Sequence, residues 1–437
     1  MRRAFLLALA WLLPLPIQAA DSGFRQLPEA PQKIYRAGAP HMDRQGGIRH
    51  EYDPARSLFV IGIAHALHGN FHGTDYDLAL FAEAGFNTIV PFQLLDPHTV
   101  VSRARALGLK LTLPEATAEH AARFKGDPTI LAFEVDHEPS MQTPDETAGD
   151  RLRRFNEDKA AIQSIDPARL VITVNSPSIS PPRTEIWRAW SRASDIHAHW
   201  KYPFMRPPVQ SLSGERGVPE TLGMALQETG ETKPVWYYAQ AFASPMERWF
   251  MPSAAEARGM LYAAIVHGAT GVFWFAYDSP VTRNGRVVGV APDTQETAGI
   301  RLPYGPDPPL AASAAEAAAS RRLWQSLRVL NREVAALAPA LLGPTADIPY
   351  RVYVAGAPNS TTPIRTLLKT MPGGDLLLIA VNIDNVPLEA SFFFPGRRFL
   401  ASRLHDDPLA PDGSAGIWRD TFAPLGVRLY RLAAMRP

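Results

Sequence analysis

From Leu58 onward, short apolar runs alternate with longer amphipathic stretches at a regular pace. The runs Leu58–Ala64, Asn87–Phe92, Lys110–Pro114, Ile130–Asp136, Leu170–Asn175, Asp195–His199, Val235–Gln240 and Gly271–Ala276 predict strands. Between them, Tyr76–Ala84, Thr99–Leu107, Gly149–Ile165, Val218–Thr229 and Ala254–His267 carry helical spacing. Gly85 and Gly268 stand just past two of these, where a helix stops. This βα pulse predicts a parallel (β/α)8 TIM barrel whose ring is closed by a last helix, Ala314–Ala338. A doubly wound sheet is the other architecture that such a pulse allows.

Past Pro344 the period changes. Tyr350–Val354, Thr366–Lys369, Leu376–Asn382, Leu388–Phe394 and Val427–Leu432 have period-two character, and Pro372-Gly373-Gly374 marks a hairpin. Residues 345–437 therefore read as a small antiparallel β-sandwich following a barrel over 21–344. The segment Ala338-Pro339-Ala340-Leu341-Leu342 is too apolar for a free linker, so the sandwich is expected to dock on the barrel. Pro280–Ser313, rich in Pro, Gly and small residues, reads as a long excursion after strand 8.

Residues 1–20 stand outside this pattern. Arg2 and Arg3 precede an apolar run to about Leu15, and Ala19-Ala20 supplies a small-residue cleavage site, the layout of a signal peptide. The run is short for a membrane span of about 20 residues. An exported, periplasmic or secreted chain is expected, with no membrane association after cleavage. Cleavage moves the net charge from +1 to −1, a balance that speaks against electrostatic nucleic-acid binding. The absence of cysteine removes disulfides, thiolate metal sites and cysteine nucleophiles from consideration. Nothing in the sequence calls for a cofactor.

In a (β/α)8 barrel, chemistry sits at the C-terminal ends of the strands. Strand 1 ends at His65, strand 4 at Asp136-His137-Glu138-Pro139, strand 5 at Asn175 and strand 7 at Gln240. Strand 6 carries Asp195, His197 and His199 before Trp200, and strand 8 runs through Trp274 to Asp278. Acids for bond cleavage, amides and imidazoles for hydroxyls, and indole faces for ring C–H groups are what a sugar site needs. Crowding of Asp136 with Glu138 beside a hydrophobic wall would suit one of them to general-acid work. A solvated acidic loop is the plain alternative.

Phe59-Val60-Ile61-Gly62-Ile63, Ala84-Gly85-Phe86-Asn87-Thr88, Lys233-Pro234-Val235-Trp236 with Gln240-Ala241-Phe242, and His267-Gly268-Ala269-Thr270-Gly271-Val272-Phe273 occur in the order seen in one large clan. The chain resembles the bacterial (β/α)8 glycoside hydrolases of the retaining clan that have an Asp-Glu-Pro type motif after strand 4. Asp420-Thr421-Phe422-Ala423-Pro424-Leu425-Gly426-Val427 is similar to the last strands of the β-sandwich that follows such barrels. The resemblance spans roughly residues 50–435 and implies Glu138 as the acid/base.

Two departures matter. His137 replaces the acid or amide that normally precedes this glutamate, and Gln240 stands where the resemblance places the nucleophilic glutamate. An amide cannot attack an anomeric carbon. The expectation is a hydrolase of oligo- or polysaccharide with Glu138 as general acid and Asp278 or Asp136 as its partner. His65, Asn175, His197, His199, Trp200, Gln240 and Trp274 are expected to hold the sugar. Two alternatives remain: a carbohydrate-binding barrel that has lost its nucleophile, and a metal-dependent hydrolase using His65, His197 and His199.

Overall fold

The computed structural model describes residues 23–28, 31–64, 78–91, 97–139, 147–175, 183–214, 217–244, 248–277, 281–282, 285–291, 313–404 and 417–434. Two-residue strands β1 (Arg25–Gln26) and β2 (Pro31–Gln32) come first. A small antiparallel sheet of β3 (His41–Asp43), β4 (Ile48–Arg49) and β5 (Ser57–Leu58) follows. Then come the barrel strands β6 (Val60–Ala64), β7 (Thr88–Val90), β8 (Lys110–Leu113), β9 (Ile130–His137), β10 (Leu170–Asn175), β11 (His197–Trp200), β12 (Val235–Gln240) and β13 (Gly271–Phe275). They pair in parallel in chain order, and β13 closes on β6. Beyond β13, β14 (Val281–Thr282) and β15 (Gly285–Arg286) form a short ribbon.

Among the described residues, one helix follows each barrel strand: α1 (Ala79–Glu83), α2 (Pro97–Ala106), α3 (Ala118–Arg123), α4 (Ala148–Ile165), α5 (Arg183–Ala193), α6 (Val218–Thr229), α7 (Ala254–Val266) and α8 (Ala314–Leu342). The expected (β/α)8 barrel is what forms. Capping boxes at Ser253/Glu256 and Ser313/Glu316 start α7 and α8 by satisfying the first free backbone N–H groups. Gly85 and Gly268 have positive φ just past α1 and α7, as the stop signals predicted. Inside the barrel, Gly62 makes room for Phe273; a Cβ there would lie 2.1 Å from the ring. The last helix runs past its expected end, through Pro339.

Two antiparallel sheets follow, built from β16 (Arg351–Ala355), β17 (Ile364–Thr370), β18 (Leu376–Asn382), β19 (Leu388–Phe393), β20 (Phe399–Arg403), β21 (Ile417–Phe422) and β22 (Val427–Ala434). Their orders are β1-β16-β19-β21 and β2-β17-β18-β22-β20, so residues 25–32, read from sequence as barrel, supply an edge strand to each sheet. The central strand β18 is buried along its whole length because it has a neighbour on each face. Leu377, Ile379 and Val381 join the core shared with α7 and α8, while Leu376, Leu378 and Ala380 pack toward the other sheet. At this junction a Cβ on Gly259 of α7 would lie 2.5 Å from the Leu425 carbonyl.

Lys369 is buried beneath the junction and donates to the Gly343 carbonyl at the end of α8 and to Thr345 Oγ1 at 3.4 Å. Burial pushes its ammonium down to about 7. The unfolded chain holds that proton up to about 10.4. Between these values the unfolded state binds more protons than the folded one, so stability rises with pH, by at most about 1.4 kcal/mol per pH unit. Below about 7 the lysine is charged in both states and its slope vanishes. Lys369→Met should flatten this slope between pH 7 and 9 in urea unfolding; parallel pH curves for parent and variant would contradict the assignment.

Candidate functional site

Strand phase decides which side chains reach the barrel mouth. Ile172 and Val174 of β10, Ala198 of β11, Trp236 and Tyr238 of β12 and Phe273 of β13 pack together as the inner layer. Cross-strand partners share a face, so register carries this phase around the ring. Glu134 pairs with Ile172 and points inward. A bulge follows: Thr173, of outward phase, pairs with Asp136 rather than Val135, and Val174 pairs with His137. The extra residue turns Asp136 outward and His137 inward.

Asp136 accordingly meets α4. Its Oδ2 accepts from Arg151 Nε at 2.8 Å, its Oδ1 accepts from Arg151 Nη2, and the same guanidinium donates to the His137 carbonyl at 3.3 Å. The expected crowding of Asp136 against Glu138 is replaced by a forked ion pair, which removes Asp136 as a catalytic candidate. Asp195 lies two residues before β11, outside the strand predicted to hold it, bound to Lys159, Gln163 and the Val171 N–H.

His197 and His199 also face outward, because Ala198 between them faces in. His197 Nε2 and His199 Nδ1 are 2.9 Å apart, and His197 lies edge-on to Trp187 of α5. Burial pushes His197 down to about 3 and His199 well below its usual value, so both are neutral core residues. This overturns their roles as sugar ligands and as metal ligands beside a strand-1 histidine. Asn175, in register with His199, shares its outward phase. Trp274 is fully buried on the outer side and donates from Nε1 to Asn331 Oδ1 of α8 at 3.2 Å. None of the four lines the mouth. His65 and Asp278 lie outside the described residues.

Gln240 has the inward phase of Trp236 and Tyr238, yet its amide is fully used. Oε1 accepts from the Phe204 N–H at 2.9 Å. Nε2 donates to the carbonyls of Phe204 and Phe250 at 3.0 Å each, and sits 3.4 Å from that of Phe242. With no exposed surface, this side chain fastens two loops and does not reach a sugar.

What the mouth does gather is Glu134, His137 and Glu138 at the end of β9, with an aromatic group opposite. Glu134 is 5% exposed and lies 2.7 Å from His137 Nδ1. Burial works against a charge on His137, but the hydrogen bond and charge of Glu134, aided by Glu138 and Asp136, raise the imidazole to about 9. The ring is 57% exposed, so solvent screens part of that pull. At neutral pH the His137 ring carries its second proton.

Glu138 has φ 48°, the left-handed region that a side-chain-bearing residue rarely adopts, and its N–H donates to the Val174 carbonyl at 2.9 Å. Such outliers concentrate at functional sites. Burial first, then the charge of Glu138, pushes the Tyr202 phenol well up, so the two groups share one end of the barrel. Trp200 stacks on Tyr202 at 4.7 Å and Tyr202 on Phe275 at 5.7 Å, with Phe242 and Trp249 edge-on. The Tyr238 hydroxyl is buried and has no partner among the described residues; its phenol is pushed up by burial and by Glu134. Of the expected sugar ligands, Trp200 alone is placed in this group. Glu134, Tyr202, Tyr238 and Phe275 were missed. Tyr202 and Phe275 carried a usable signal, since both lie within two residues of a strand end. Among the described residues, no group of three His, Asp or Glu is placed to hold a metal ion.

No protein-family model matches the sequence, and no curated protein matches it either. Solved structures do. A β-galactosidase from Bacillus circulans sp. alkalophilus is similar at 9% identity and TM-score 0.53, over 86% of this chain and 99% of that one. A glycoside hydrolase is similar at 11% identity and TM-score 0.52, over 92% and 98%. A catalytic mutant of a GH42 β-galactosidase from G. stearothermophilus is similar at 7% identity and TM-score 0.53, over 86% and 98%. At these identities the likeness is one of fold: the chain has a glycoside-hydrolase-like barrel with an attached β-sandwich.

Proposed function

We propose that the chain is an exported hydrolase of glycosidic bonds in an oligo- or polysaccharide, with Glu138 as general acid. The observation that carries this is the position of Glu138: at the C-terminal mouth, in a strained backbone conformation, within electrostatic reach of the Trp200–Tyr202–Phe275 stack. A stack of this kind offers apolar faces to a sugar ring, and the carboxyl is the group that protonates a departing oxygen. Export rests on the signal-like residues 1–20. Among the described residues, no helix is long and apolar enough to cross a membrane.

The second carboxyl is assigned to Asp278, one residue past Tyr277 in the sequence. It would activate water for inversion, the course left open when the strand-7 position holds an amide. Hydrolysis of a panel of plant and bacterial glycans by the parent, abolished in Asp278→Asn, is the expected result. The Gln240 clamp favours a second reading, a glycan-binding barrel without turnover. Glycan binding by the parent and both variants, Asp278→Asn and Glu138→Gln, with no hydrolysis by any of them, would leave only the binder.

A further inference from the structure

A buried carboxylate is costly unless something compensates it. Glu134 is buried at the top of the inner layer, and the group that compensates it is the His137 ring at 2.7 Å. That hydrogen bond occupies Nδ1 and fixes the ring's orientation, while the rest of the ring remains more than half exposed at the mouth. Arg151, the cation bound to the His137 carbonyl, is clamped by Asp136 on the outer side of β9. The barrel thus holds an oriented imidazolium, fastened by a buried carboxylate, one residue from the proposed acid. The hydrolytic step does not itself require that charge. A developing oxocarbenium ion would be repelled by it, unless the substrate brings a negative charge of its own.

We infer that the mouth takes an acidic glycan, one whose sugar ring carries a carboxylate, and that His137 reads this carboxylate with Glu134 as its positioning residue. The inference rests on the carbohydrate reading of the mouth and adds the chemical class of the sugar. A sugar ring lying on the face of Trp200 turned away from Tyr202 would sit at the same end of the barrel as His137, where an exocyclic carboxylate would take a charge-assisted hydrogen bond from the imidazolium. The groups that set the charge of His137 are Glu134 and Asp136 of β9 and Glu138 just past it, while Arg151 of α4 binds its carbonyl; Tyr238 of β12 feels the charge of Glu134, and Tyr202 that of Glu138.

The test is calorimetric binding by the full mature chain at pH 7 and low salt. Oligomers of galacturonate, glucuronate and mannuronate are each paired with the neutral hexose oligomer of the same linkage. A preference of about 10-fold or more for at least one acidic oligomer is expected, weakening with added salt. Glu134→Gln and His137→Asn should each reduce the preference to about 2-fold or less, whereas Trp200→Ala should weaken both members of a pair alike. In the parent, the preference should fade as pH passes about 9. In Glu134→Gln, it should already be fading near the ordinary histidine value of about 6.5. Should His137→Asn fail to fold, Glu134→Gln decides, since its amide oxygen still accepts from Nδ1. Equal or tighter neutral binding, no binding of any acidic oligomer, or a preference that survives Glu134→Gln would each overturn the inference. Hydrolysis of a neutral glycan that depends on Glu138 would keep the proposed function and remove this inference. Acid-selective binding without turnover would do the reverse.

Discussion

Glu138→Gln will slow hydrolysis of a glycan with a poor leaving group by about 10²–10⁴, the usual contribution of acid–base catalysis. The exchange preserves shape. The backbone stays at φ 48°, and the N–H keeps its bond to the Val174 carbonyl. Only the transferable proton is lost. An aryl glycoside whose phenol leaves without protonation should therefore lose less than about 10-fold. The leaving-group dependence of kcat/KM thus separates proton donation from a general loss of fit. Asp136→Asn is the matched control, because Asp136 serves Arg151 on the outer face and transfers no proton at the mouth. Parent-like turnover of the poor-leaving-group substrate by Glu138→Gln would end the assignment.

The barrel itself was legible because eight apolar runs with helical spacers have few other ways to be buried. What escaped was the phase of each strand. In a parallel barrel both faces of a strand are covered, so polar and apolar residues do not alternate in a way that marks inside from outside. Two apart on a strand, His197 and His199 must share a face, but nothing local says that Ala198, not they, points inward. Trp274 and Asn175 failed for the same reason, and Glu134 and Tyr238 went unremarked although both face in. Asp136 failed differently: the bulge in β9 reverses the alternation between Glu134 and Asp136, and a bulge leaves no mark in a single sequence. In the sandwich, periodicity did not mark β21, whose end only the resemblance touched, because its inward positions are Trp418, Asp420 and Phe422. The buried Asp420, held by Arg403 and the Tyr430 hydroxyl, breaks the apolar rhythm. The edge strands β1 and β2 are two residues each, too short to carry a period.

Gln240→Glu will not convert this barrel into a retaining enzyme, although it writes in the residue that the resemblance expects at the end of strand 7. The amide nitrogen of Gln240 donates to the carbonyls of Phe204 and Phe250 at 3.0 Å and lies 3.4 Å from that of Phe242, with no exposed surface. A carboxylate there would oppose three carbonyl oxygens with nothing to donate. It would be held protonated by its burial, and a neutral acid supplies one hydrogen where the amide supplies two. The loss should be about 1–3 kcal/mol, the cost of leaving a buried carbonyl without its donor, and it should appear as a lower urea midpoint at unchanged slope. The loops carrying Phe204 and Phe250 are tied to this side chain, and Tyr202 adjoins the first of them, so sugar affinity should fall along with stability. Nucleophilic capture is directly visible: a retaining enzyme treated with a slow fluorosugar gains the mass of one glycosyl unit, whereas Gln240→Glu should gain none. A labelled adduct on residue 240 at parental stability would show that the clamp is dispensable and that the mouth reaches deeper than the Gln240 hydrogen bonds allow.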